Sequence, residues 1–168
     1  FGPDMKCVPS FWVDYDLGIL TIDETAVEVA KYRDCDAETA KMHMLQAIAL
    51  QEEVEPTVEL IKELKSKGYK LYVLSNMSKE YIEFLRKLPV FDLFDKQVVS
   101  CEIHLGKPDR RIYEYLLDYC ALDPAETIFI DDRKDNVDAA AELGIIPFHF
   151  DRRNPAEACN KLRKVIYE

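Results

Sequence analysis

Apolar residues return at helical spacing through the first third of the chain. Ile22, Ala26, Val29 and Ala30 make one such series, and Ala40, Met44, Ala47 and Ile48 make a second. Thr21 or Asp23 suits the start of the first helix, and Asp36 suits the N-cap of the next. No strand signal interrupts 10–53, and residues 1–9 read as irregular. The texture changes at Glu55-Pro56. Pro56 fits a first helical position, Val58, Ile61 and Leu64 form an apolar stripe, and Gly68 ends it. Beyond that point β-rich runs alternate with helical ones. Strands are expected at 69–74, 97–100, 127–130 and 146–150, and helices at 78–87, 108–119, 136–143 and 154–166. This alternation predicts βαβ units, a mainly parallel sheet and right-handed crossovers. The expected fold is α/β, with a doubly wound core over 55–168 and a small all-helical cap over 1–54.

Composition narrows the partners. The 168 residues are 48% hydrophobic and 32% charged, which fits one globular domain with a core. A net charge of −10 argues against nucleic acid and against an anionic membrane. A small phosphorylated substrate is compatible, because a bound metal and one lysine reverse the local field. No apolar run approaches the roughly 18 residues of a membrane span, and no signal-peptide pattern is legible. The five cysteines (Cys7, Cys35, Cys101, Cys120 and Cys159) are scattered without a CxxC pair, which suggests reduced thiols in a cytoplasm. Oligomeric state is not legible.

Three places carry candidate chemistry. The run Thr127-Ile-Phe-Ile130 leads straight into Asp131 and Asp132, and the helical segment that follows stops at Gly144. A strand that ends in an acidic pair before a helix is where open α/β sheets hold metals and phosphates. Two adjacent carboxylates repel, so a positive group is expected between them, and Mg²⁺ is the usual one. Ser75 and Asn76 follow the strand 69–74. With the free N–H groups of the next helix they make a phosphate-sized donor cluster. The plainer alternative is that Ser75 or Ser78 caps that helix. Lys107 lies in Gly106-Lys107-Pro108, where Pro108 would open the following helix and bring the ammonium to its start. A surface lysine is the plainer alternative there.

Taken in order, Leu-Ser75-Asn76, then Lys107-Pro108-Asp-Arg-Arg-Ile-Tyr, then Ile-Asp131-Asp132-Arg-Lys-Asp-Asn136 resemble motifs two to four of the haloacid dehalogenase (HAD) superfamily. Tyr15-Asp16-Leu-Gly18-Ile-Leu-Thr21-Ile-Asp23-Glu24 is similar to an element found in helical caps of that family. The resemblance covers about 10–150. It implies phosphoryl transfer through an aspartyl-phosphate, with Mg²⁺ as cofactor. By the resemblance, Asp132 ligates the metal, and Asp131 is a second ligand or holds the metal's water. Ser75 and Asn76 bind phosphoryl oxygens, Lys107 stabilises nucleophile and intermediate, and Asn136 orients the acidic loop. Small phosphorylated metabolites, including sugar phosphates, are the implied substrates. A metal-independent 2-haloacid dehalogenase-like hydrolase and a non-catalytic HAD-like binding module are the alternatives.

The family's first motif, an apolar strand followed by Asp-x-Asp, has one match in spacing, Asp14-Tyr15-Asp16. Those residues match the cap element better. The nucleophile-bearing strand is therefore expected upstream of Phe1, and the chain as written is expected to be inactive. In the family that strand lies between the strands ending at Leu74 and Ile130, so these two should not pair. Among residues weighed lightly, His104 stands where the family often has Gly and reads as a solvated loop residue. His43 falls on a cap helix, with a substrate-facing role as the lesser alternative, and His149 reads as structural. Phe11, Trp12 and Tyr15 suit either the cap side of a pocket or packing. The Lys62–Lys70 stretch with Glu59 and Glu63 reads as a solvated helix face.

Overall fold

A computed structural model describes residues 8–167. In chain order the elements are α1 (Ser10–Asp16), α2 (Ile22–Arg33), α3 (Ala37–Ala49), α4 (Glu55–Ser66), β1 (Tyr72–Ser75), α5 (Lys79–Leu85), β2 (Lys96–Val99), α6 (Ser100–Ile103), α7 (Arg110–Cys120), β3 (Ile128–Asp131), α8 (Lys134–Ala141), β4 (Ile146–His149) and α9 (Pro155–Tyr167). Short 3₁₀ turns at Pro89–Leu93 and Pro124–Glu126 complete the order. This is the α/β fold expected, with parallel strands, flanking helices and a helical N-terminal region. No helix of the described residues is long and apolar enough to cross a membrane.

The chain divides into two compact units. One holds the described residues up to Gln51, with Ser75–Leu88 and Val98–Gly106. The other holds Glu52–Leu74, Pro89–Gln97 and the described residues from Lys107 onward.

In the first unit, local chemistry fixes the helix starts. Thr21 and Glu24 form a capping box. Glu24 N donates to Thr21 Oγ1 at 3.3 Å, and Thr21 N donates to Glu24 Oε2 at 2.9 Å. Asp36 accepts from Thr39 N at 2.8 Å and caps α3. Small residues Ala26, Ala30 and Ala40 bring α2 close to α3, and Phe11, Tyr15 and Met44 fill the space around them. Phe11 and Tyr15 both pack in this core. Asp14 lies inside α1, not at the end of a strand.

The turn after α1 is clasped by α6. Gly18 has φ +68°, and a Cβ there would lie 2.6 Å from Cys101 O. A side chain would meet both a left-handed backbone and a carbonyl that cannot move away cheaply. Gly18→Ala is expected to cost about 2 kcal/mol in urea unfolding. An unchanged midpoint would show that the turn relaxes freely.

In the second unit, α4 packs on α9 through Leu60, Leu64, Cys159 and Leu162. The buried pair is therefore Leu60 and Leu64, while Val58 and Ile61 of the expected stripe are only half-buried. The Glu59–Lys70 surface is also more structured than a solvated face. Glu63 accepts from Arg163 Nε at 2.7 Å and from Tyr167 Oη at 2.9 Å. These partners hold its carboxyl down to about 2. β1 starts at Tyr72, later than expected, because Asp95 captures the preceding residue. Leu71 N donates to Asp95 Oδ2 at 2.9 Å, and Asp95 N donates to Leu71 O at 2.7 Å. Ser100 begins α6 and does not extend β2. Pro108 does not open α7. Asp109 caps that helix by accepting from Arg111 N at 2.9 Å, and Pro108 follows a cis peptide bond outside it. α8 begins at Lys134, ahead of Asn136.

β3 and β4 pair in parallel, with Ile128 opposite Ile146 and Asp131 opposite His149. β1 pairs with β2. No ladder joins β1 to β3 among the described residues. Ile130, in the middle of β3, is 42% exposed, and every residue of β1 is only half-buried. Strands of a parallel sheet are normally covered on both faces.

Candidate active site at Lys107 and Asp131

Alternation along β3 turns Phe129 and Asp131 to one face and Ile130 to the other. Asp131 then meets Lys107, which arrives from the loop before α7. Lys107 Nζ donates to Asp131 Oδ2 at 2.6 Å, and the two side chains are only 9% and 6% exposed. The same ammonium donates to Leu74 O at 2.9 Å, the carbonyl just before Ser75 in the chain. It also stands 5.4 Å from the centroid of the Phe129 ring. Lys107 is therefore no surface lysine.

The other carboxylate oxygen is held as well. Asp131 Oδ1 accepts from Arg133 N at 2.8 Å and from Asn136 Nδ2 at 3.0 Å. Asn136 is buried, and its backbone carbonyl accepts from Tyr113 Oη at 2.9 Å. Its side-chain oxygen Oδ1 is buried without a hydrogen-bond partner. An unused amide oxygen beside a carboxylate is an unfilled acceptor position.

Asp132 points elsewhere. It is exposed, and its Oδ2 lies 3.5 Å from Arg152 Nη1. His149 Nε2 lies 2.9 Å from the Asp132 carbonyl and ties the loop to β4. Each carboxylate has its own protein cation, Lys107 for Asp131 and Arg152 for Asp132.

Lys107, Asp131 and Asn136 thus come together within one unit. Ser75 and Asn76 belong to the other unit. Ser75 closes β1, and Ser78 is the residue that caps α5, accepting from Tyr81 N at 3.4 Å. Met77 N, next to Asn76, donates to Ser100 Oγ at 3.0 Å. Ser100 Oγ itself donates to Asp16 O. In the same unit a Cβ on Gly106 would lie 3.3 Å from Asn76 Nδ2 and 3.1 Å from Leu17 Cδ2. The loop before Lys107 therefore runs against Asn76. His104 keeps the left-handed conformation that Gly favours, with φ 56°, and its Nδ1 lies 2.7 Å from Leu17 O. It is exposed but tethered to that carbonyl. His43 is an exposed residue of α3.

This unit also holds a cavity of about 340 Å³ lined by Tyr15, Lys79, Glu80, Arg86 and Glu102, among others. Tyr15 Oη donates to Glu80 Oε2 at 2.8 Å there, and Arg86 pairs with Glu102 through both guanidinium Nη atoms at 2.6 and 3.1 Å. None of the six candidate site residues lines it.

The donor set suits a hard divalent cation. Asp131 and Asp132 offer carboxylate oxygens, and Asn136 Oδ1 adds an unpartnered one. No group of three or more His, Cys, Asp or Glu side chains is placed to hold a metal among the described residues. A two-carboxylate set is poor for Zn²⁺ but fits Mg²⁺, which fills its other positions with water and substrate phosphate.

The family model of the haloacid dehalogenase-like hydrolases matches residues 9–144. The chain belongs to that family. Similar proteins include a sesquiterpene phosphatase, astK of Aspergillus oryzae, 33% identical over 64% of this chain and 54% of its own length. The drimenol cyclase drtB of Aspergillus calidoustus is 29% identical over 87% of this chain and 28% of its own. The chain thus spans about half or less of these two relatives. A HAD family enzyme of Bacteroides thetaiotaomicron, solved in complex with magnesium and inorganic phosphate, shares the fold with a TM-score of 0.75 at 23% identity. The match covers 88% of this chain and 76% of that one.

Four contributors were not legible in the HAD-like motifs. Phe129 and Tyr113 read as ordinary apolar strand and helix positions, and Ser100 as a strand end. Arg152 reads as a solvated tail residue. Tyr113 lies within the stretch that carries Lys107, and that proximity was the one available signal.

Proposed function

We propose that this HAD-like hydrolase chain carries most of a Mg²⁺-dependent phosphatase site for a small phosphorylated metabolite, working through an aspartyl-phosphate. The observation that carries this reading is the buried Lys107–Asp131–Asn136 cluster at the end of β3. The phosphatase relative and the magnesium–phosphate complex of the Bacteroides enzyme support it. In this reading an aspartate oxygen attacks phosphorus, the alkoxide leaves, and water then hydrolyses the acyl phosphate. Lys107 steadies the attacking carboxylate and the charge that builds on the phosphoryl group. Ser75 and Asn76 donate to the phosphoryl oxygens. Asp132 and Asp131 would hold the metal, and Asn136 keeps Asp131 in place. The bound cation supplies neutralisation of phosphate charge.

In this reading the attacking aspartate is none of the described ones. β3 is the one described strand that ends in aspartate, and Asp14 is helical. In this reading the described residues on their own do not turn over substrate, and a purely binding role for them is the second reading. Isothermal titration of the chain with MgCl₂ in the presence of inorganic phosphate should show binding that Asp132→Asn abolishes. Steady-state assay with p-nitrophenyl phosphate should show no turnover above the blank. Failure to bind Mg²⁺ would remove the metal site, and turnover abolished by Asp14→Ala would place the nucleophile in α1.

A further inference from the structure

We infer that Tyr113 is a positioning residue that sets both members of the Lys107–Asp131 pair. The inference rests on the reading of that pair as part of the site. Tyr113 is fully buried on α7. Its hydroxyl donates to Asn136 O at 2.9 Å, and Asn136 in turn donates from Nδ2 to Asp131 Oδ1. Its ring packs edge-on against Phe129, with centroids 5.4 Å apart and an interplanar angle of 87°. Phe129 is the aromatic surface that faces the Lys107 ammonium. One side chain therefore touches the anchor of the anion and the wall behind the cation.

Core packing alone does not ask for this hydroxyl. Phenylalanine would fill nearly the same volume, and burying an O–H is unfavourable unless a partner is found. The partner used is a carbonyl in the first turn of α8, at the residue whose side chain grips Asp131. Burial and the nearby Asp131 charge push the phenol above its ordinary value. The hydroxyl thus fixes α8 against α7 at the point where the site carboxylate is oriented.

The test compares the chain with Tyr113→Phe, with Phe129→Leu and with the control Tyr115→Phe, which alters a partly exposed tyrosine on the same helix. The deciding readout is the ¹H–¹⁵N signal of the Lys107 ammonium, assigned by its loss in Lys107→Gln. Its exchange with water should quicken roughly five- to ten-fold in Tyr113→Phe, the worth of one buried hydrogen bond. Phe129→Leu should act in the same direction, and Tyr115→Phe should leave the signal unchanged. Equal exchange in the chain and in Tyr113→Phe would overturn the inference. Mg²⁺ titration separates the two ideas. Tyr113→Phe should bind about ten-fold more weakly. If the unaltered chain binds no Mg²⁺, the phosphatase reading fails, while the ammonium signal still decides the role of Tyr113.

Discussion

Lys107→Met destabilises the chain by about 3 kcal/mol in urea unfolding at neutral pH, against less than about 1 kcal/mol for an exposed ion pair. The difference comes from burial. Lys107 and Asp131 are both almost fully covered, and their 2.6 Å contact sets a full charge against the buried carboxylate. Removing the ammonium leaves Asp131 with two N–H donors, Arg133 N and Asn136 Nδ2. Those soften the loss but carry no full charge. The double substitution Lys107→Met/Asp131→Asn should recover most of the loss, because it removes the buried charge as well as its partner. A single-substitution loss below about 1 kcal/mol would mean that water reaches the pair.

Stability also falls as pH rises from about 4 to about 7, and Asp16→Asn removes the fall. Asp16 ends α1, and burial lifts its carboxyl from its ordinary value of 3.8 to about 7. The folded chain then keeps a proton that the unfolded chain releases. Above the unfolded value, each rise in pH favours the unfolded state, until the folded carboxyl itself ionises near 7. The contribution is full below about pH 4 and gone above about pH 7. Across that window the loss amounts to about 4 kcal/mol. Glu63 works with the opposite sign and in another window. Its carboxyl is held down to about 2, so its contribution is present above about 4.5 and is lost as pH falls toward 2. Urea midpoints across pH 4 to 7 decide the matter. A difference between Asp16→Asn and the unaltered chain that stays constant across this range would show that Asp16 is not desolvated.

Local chemistry made much of this legible from sequence. Thr21 and Asp36 cap the helices they precede because capping is settled within four residues. An apolar run ending in Asp131 marks a strand end, and Asn136 follows at a spacing that lets it reach back. What escaped depended on residues distant in the chain. Asp95 shortens β1 from 24 positions away. Arg163 and Tyr167, 100 and 104 positions on, turn Glu63 from a solvated residue into an anchor. Arg152 supplies Asp132 with a cation of its own, which a reading of adjacent acids could not contain. Asp109 takes the helix start expected at Pro108, because a carboxylate can accept from the second N–H of the helix and a proline ring cannot.

The interleaving of the two units bears on how the molecule can be made and cut. The chain passes between them after Gln51, Leu74, Leu88, Gln97 and Gly106, so neither unit is a continuous stretch. Truncation at 54/55 would therefore not release a self-sufficient cap. It would strip α5 of Tyr15, which bonds Glu80, and strip Ser100 of the Asp16 carbonyl. During synthesis, the helices at 10–49 must wait for residues 100–106 before their unit can close. Closing contacts across 80 or more residues is slow, because the loop entropy is lost before the contacts form. A chain threaded this way should be most vulnerable to aggregation until residues 98–106 have been synthesised.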